Sequence, residues 1–132
     1  MGFSTTVFGY VKIAGDLDRA ISEIAKLASI DTPEWPPLPR EMFSVAQHPQ
    51  SLISYKNEHL VHFGMCVKEI NWEWAAWLDR FEDLFKRMQA IEAFVVLEIP
   101  NWCSDEFDGR FYYKWQLDST GEWQFTGSPR QF

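Results

Sequence analysis

Residues 71–89, NWEWAAWLDRFEDLFKRMQ, place Trp74, Trp77, Leu78, Phe81, Leu84, Phe85 and Met88 at helical spacing. A stripe of that kind predicts an amphipathic helix with one face built for a core. Asn71 stands where an N-cap belongs, and the polar side offers two acid-first i,i+4 pairs, Glu82 with Lys86 and Asp83 with Arg87. Each such pair is worth about 0.2–0.5 kcal/mol. Directly after the helix, residues 91–99 (IEAFVVLEI) are nearly all apolar, and Pro100 follows them. That pattern predicts a strand in the interior of a sheet, ended by the proline.

Upstream, Ser51 to Lys56 and His59 to Val67 read as two strands around Lys56-Asn57-Glu58. Thr5 to Ile13 is β-branched and aromatic, hence a first strand. Gly15 and Asp16 break it and can cap a helix whose apolar stripe is Leu17, Ile21, Ile24 and Ala28, running to Ile30. Residues 31–41 hold four prolines, in Thr32-Pro33-Glu34-Trp35-Pro36-Pro37-Leu38-Pro39, and form a stiff connection onto which Trp35 is expected to pack. Its PxxP spacing is followed directly by Arg40, out of step with the usual basic position of a groove-binding peptide. Downstream, Phe111, Tyr113, Trp115 and Leu117 alternate with polar partners, Asp118-Ser119-Thr120-Gly121 supplies a turn, and Trp123 and Phe125 return. The expected fold is therefore α+β: an antiparallel sheet with two helices on one face, a ferredoxin-like βαββαβ core and a C-terminal β-hairpin. With 132 residues, the whole of 1–132 reads as a single domain.

Composition narrows the function. Twenty-two residues are rings (Phe 11, Trp 7, Tyr 4), and the 46% hydrophobic fraction excludes a disordered chain. No apolar stretch approaches the ~20 residues needed to span a bilayer. The formal charge is −7, which argues against binding nucleic acid through its phosphates. Cys66 and Cys103 are expected to be free thiols, and the start of the chain lacks a secretory pattern, so a cytoplasmic location is expected. No metal is expected. On a strand His59 and His62 point to opposite faces, and His62 and Cys66 share a face about 13 Å apart. Glycine-rich phosphate loops, Gly-x-Ser-x-Gly elbows and His-Glu-x-x-His helices do not occur, so neither a catalytic residue nor a cofactor is assigned.

The acid is concentrated late in the chain: residues 71–132 hold eleven acids and six bases. Within it, Trp102, Asp105, Glu106, Phe107 and Asp108 combine rings and carboxylates in an expected loop, with Asp118 nearby. Aromatic anchors ringed by charge suit a protein interface, and Asp79, Glu82 and Asp83 on the second helix form another candidate surface. In size, acidity and lack of catalytic motifs, and in Trp102, Asp105, Glu106, Asp108, Trp115 and Asp118, the chain resembles the immunity proteins that bacteria make against their own nuclease-type toxins. That resemblance implies a monomeric or homodimeric binding module that blocks a basic partner, a cognate toxin domain, by covering its active site. Two alternatives stay open. One is a ligand-binding or cofactor-light enzymatic domain with Tyr10, Tyr55, His62 and Trp115 lining a cavity between sheet and helices; the other is a structural or regulatory homodimer subunit.

Overall fold

The computed structural model describes residues 2–45, 57–100 and 109–132. Strand β1 (Ser4–Ala14) leads into helix α1 (Leu17–Ala25), then a short strand β2 (Phe43–Val45) and β3 (Glu58–Lys68). Helix α2 (Trp74–Arg87), β4 (Ala90–Glu98), β5 (Arg110–Leu117) and β6 (Trp123–Gly127) complete the α+β order. All six strands join one antiparallel sheet in the order β2-β3-β1-β4-β5-β6.

Alternation along each strand divides the sheet into two unlike faces. Val7, Val11 and Ile13 of β1 are fully buried, as are Ala93, Val95 and Leu97 of β4 and Tyr113 of β5. They form one core cluster with Ala20 and Ile24 of α1 and the whole apolar stripe of α2. Within it Trp74 and Trp77 stack at 4.9 Å, Trp77 stacks on Phe81 at 5.2 Å, and Phe81 meets Trp115 edge-on at 5.7 Å. Aromatic packing of this kind adds to the burial of the rings.

Several expectations are corrected. Beyond the first four strands, β5 pairs along β4 and β6 returns along β5, so the expected C-terminal hairpin continues the same sheet. Among the described residues the outer partner of β3 is Phe43–Val45; the strand expected over 51–56 lies outside them. Helix α1 stops at Ala25, five residues early, because Ala28 C=O accepts from Arg40 N–H and the Glu41 carboxylate binds Ser29 Oγ and Ile30 N–H. The residues after the helix are thus tied to the end of the proline segment. That segment docks on α2, with Trp77 Nε1 donating to Pro37 C=O at 2.9 Å and Arg80 binding Pro36 C=O and the Glu34 carboxylate. Pro36, Leu38 and Pro39 are buried in it, whereas Trp35 is 52% exposed.

Asn71 does not cap α2. It lies inside a one-turn 3-10 segment, Ile70–Glu73, and the N-cap residue Glu73 makes no side-chain capping bond. Asp16 does cap α1, accepting from Arg19 N–H. The two i,i+4 pairs on α2 are replaced by longer-range partners. Arg130 binds Glu82 and Asp79, and Arg87 binds Glu23 of α1 at 3.3 Å.

Candidate functional site

The sheet face turned away from the helices is the candidate site. Register brings its side chains into rows that no single strand reveals. Phe8 of β1 lies beside Val96 of β4, which lies beside Tyr112 of β5. One row along, Tyr10 lies between His62 and Phe94, and Phe94 is paired with Lys114. The Tyr10 and Phe94 rings are 5.7 Å apart, and Phe94 stacks on Tyr112 at 6.3 Å. Phe8 is 41% exposed, Tyr112 47% and Leu60 38%, while Val96 between the first two is buried. An aromatic surface therefore crosses the three central strands, uncovered by either helix.

A polar row borders it. Glu92 Oε2 accepts from the Tyr10 hydroxyl and Oε1 from Gln116 Nε2 at 3.1 Å, with Lys12 and Lys114 nearby. Partial burial pushes the Glu92 carboxyl up, but those two hydrogen bonds and two cations outweigh it and hold the group below its usual range. Burial, then the hydrogen bond to Glu92, pushes the Tyr10 phenol up to about 12. Across the aromatic row, Arg110 Nε binds Glu98 at 2.8 Å. The face carries Lys12, Lys68, Arg110 and Lys114 against Glu58, Glu92 and Glu98, so it is close to neutral in a chain of charge −7.

Among the described residues, those singled out by sequence for an interface fall on α2 and at the end of β5. Trp102, Asp105, Glu106, Phe107 and Asp108 lie outside the described residues, between the end of β4 and the start of β5. Asp79 and Glu82 share Arg130, and Asp83 is exposed on α2. Asp118 organises the β5–β6 turn: Oδ1 accepts from Thr120 N–H and Oγ1 and from Glu122 N–H, and Oδ2 from Gln124 Nε2. Of the proposed cavity set, Tyr10 and His62 sit on the uncovered face, Trp115 is buried on the helix side and Tyr55 is outside the described residues. Tyr10 and His62 therefore share no chamber with Trp115, which lies on the opposite face of the sheet. Cys66 is an exposed free thiol, and Cys103 is outside the described residues. Among the described residues no cluster of three or more His, Cys, Asp or Glu could hold a metal, and no helix is long and apolar enough to cross a membrane.

The Asp118 geometry has a pH signature. The Thr120 hydroxyl, the Glu122 N–H and the Gln124 amide hold its carboxyl well below the usual range. A carboxyl depressed in the folded state adds stability above its unfolded pKa, about 3.9, and loses it as the pH falls below that value. Asp118→Asn is therefore expected to flatten the fall in melting temperature between about pH 5 and pH 2. A variant with an unchanged acid limb would mean the turn does not depend on the carboxylate.

Comparison of the chain with family models, curated proteins and solved structures finds no match.

Proposed function

We propose that this protein is a binding module that docks a partner protein on the uncovered face of its sheet. The complex would neutralise a basic partner by covering its active surface, in the manner of a toxin-immunity protein. The observation that carries the docking role is the exposed set Phe8, Tyr112 and Leu60 around Tyr10, Phe94 and buried Val96. Large rings at the centre of a patch with charge at its margin are the composition of energetically dominant interface positions. A standard interface takes about 800 Å² from each partner, close to a tenth of the 7910 Å² exposed here.

Support for a basic partner comes from charge. A chain of charge −7 attracts a basic protein at long range, while the rings of the sheet face set the dissociation rate. The ferredoxin-like core is retained at the level of element order alone: β1, α1, β2, β3, α2 and β4 follow one another in that sequence, and two further strands extend the sheet.

The test is a calorimetric titration against the product of the open reading frame immediately upstream, where that product is a basic protein. Joint Phe8→Ser and Tyr112→Ser substitution is expected to weaken binding about 100-fold with little change in melting temperature. Raising salt to about 0.5 M is expected to weaken it further, since exposed charges are already screened over ~10 Å at 0.1 M. Unchanged affinity in the double variant removes the sheet face from the account, and indifference to salt removes the basic partner. A dimer of this chain that dissociates on the same two substitutions would assign the face to a second copy instead.

A further inference from the structure

Strand β6 ends the sheet, and among the described residues no strand lies beyond it. Its inner and outer backbone groups can be told apart. Asp118 N–H donates to Glu122 C=O, and Ser128 N–H to Tyr112 C=O, one bond at each end of the β5–β6 ladder. Opposed residues in an antiparallel ladder alternate between bonded and non-bonded pairs. Gln124 and Thr126 therefore bond to β5, while the N–H and C=O groups of Trp123, Phe125 and Gly127 point outward. Past Gly127 the chain turns to the helix side rather than back over this edge. The Tyr113 hydroxyl donates to Pro129 C=O, and Arg130 binds Asp79 and Glu82 on α2.

Proteins usually blunt an exposed edge with charge, proline, a bulge or a very short strand. The five residues of β6, WQFTG, carry no charge and no proline, and their register with β5 runs without a shift. At the other end of the sheet, β2 is only three residues long. The Asp118 carboxylate, through Thr120, Glu122 and Gln124, fixes the turn that delivers β6, so the strand is ordered before anything pairs with it. Phe125 remains 40% exposed although its ring lies 5.2 Å from that of Trp115 and 5.5 Å from the Arg130 guanidinium.

The complement of such a row is another extended strand, and a second β6 matches it group for group. With a twofold axis at Phe125, Trp123 opposes Gly127 of the second copy and Phe125 opposes its own counterpart. Every outward N–H then faces an outward C=O. The glycine leaves room for the indole, the two phenyl rings lie side by side, and Gln124 meets Thr126 on the other face of the sheet. Like charges directly opposed would weaken a strand pair, and this register brings none together within β6 even though the chain as a whole is acidic. Because both copies use the same edge, the contact closes at two.

We infer that this protein forms a homodimer by antiparallel pairing of β6 with β6 of a second copy, which joins the two sheets edge to edge. The axis is perpendicular to the joined sheet, so both uncovered faces lie on one side of it and remain open.

So short a strand gives an interface at the small end of the range, and the dissociation constant is expected on the order of tens of micromolar. Sedimentation velocity across that range is expected to show monomer giving way to dimer. In hydrogen exchange followed by NMR, the Trp123, Phe125 and Gly127 amides are expected to gain about tenfold protection as dimer forms, whereas Gln124 and Thr126 are protected throughout. Phe125→Glu places two carboxylates face to face at the axis, with Arg130 beside each in the monomer, and is expected to weaken the dimer about tenfold or more. Thr126→Glu, exposed and opposite Lys114, is expected to act in the same direction with the melting temperature unchanged, and it decides the matter if Phe125→Glu fails to fold. Joint Phe8→Ser and Tyr112→Ser substitution is expected to leave the dimer intact, which separates this inference from the docking role. A chain that stays monomeric to millimolar concentration overturns it, as does a dimer indifferent to Thr126→Glu or one lost with Phe8 and Tyr112. Protection of the three outward amides only when the docking partner is added also overturns it, and assigns the edge to a strand of that partner.

Discussion

Replacing Trp77 by alanine is expected to remove about 3–5 kcal/mol of stability, a large share of the ~5–15 kcal/mol typical of a domain. Trp77 is fully buried and stacks between Trp74 and Phe81, with Phe63 of β3 at 6.3 Å. Three rings would lose their partner at once. The indole also donates to Pro37 C=O at 2.9 Å, so the substitution leaves a carbonyl of the proline segment without its donor. Urea unfolding followed by circular dichroism measures the loss. Trp35→Ala is the matched control, because that ring is 52% exposed and its removal is expected to stay within about 0.5 kcal/mol. A Trp77→Ala loss below about 1 kcal/mol would contradict the packing described for α2.

Gly9→Ala is expected to be comparably severe, for a steric reason. Gly9 sits in β1 between Phe63 of β3 and Val95 of β4. A Cβ there would lie 1.9 Å from the Phe94 carbonyl oxygen and 2.9 Å from Phe63 Cζ. The ring tip can move aside, but the carbonyl belongs to the neighbouring strand and can yield only if β1 and β4 separate locally. Overpacking commonly costs ~1–3 kcal/mol, and a backbone clash in the central strand pair is expected to reach about 3 kcal/mol or more. At Gly64 the nearest atoms to an added Cβ are at 3.6 and 3.7 Å, so Gly64→Ala should fold as the parent does. Equal stability of the two alanine variants would contradict the close β1–β4 approach.

Local pattern made much of this fold legible. The period of Trp74 to Met88 defines the buried side of α2, and the alternation of residues 111–117 defines the two faces of β5. Asp16 acts as the cap its position suggested because capping involves only residues three apart. What failed was nonlocal. Arg130 reaches Glu82 from some fifty residues away and Glu23 of α1 takes Arg87, so the two i,i+4 pairs expected on α2 give way to them. Residues 91–99 take the interior place in the sheet that their apolar run suggested, between β1 and β5, but the run does not show that Phe94 and Glu92 face the side away from the helices. The period-2 pattern of β1 already set Phe8, Tyr10 and Lys12 apart from Val7, Val11 and Ile13. Only the register with β4 and β5 shows that Phe8, Phe94 and Tyr112 form one surface. Asp118 was legible as a turn residue, but the number of bonds its carboxylate accepts there was not.

The central claim is that partner binding covers the uncovered sheet face, and hydroxyl-radical footprinting of the complex tests it directly. The chain carries exposed rings in separate places: Phe8 and Tyr112 on the sheet, Trp35 in the proline segment and Trp72 beside α2. Phe8 and Tyr112 are expected to lose most of their oxidation when the partner is bound, with Trp35 and Trp72 reacting as in the free protein. Protection of Trp35 or Trp72 with Phe8 and Tyr112 unchanged would contradict it.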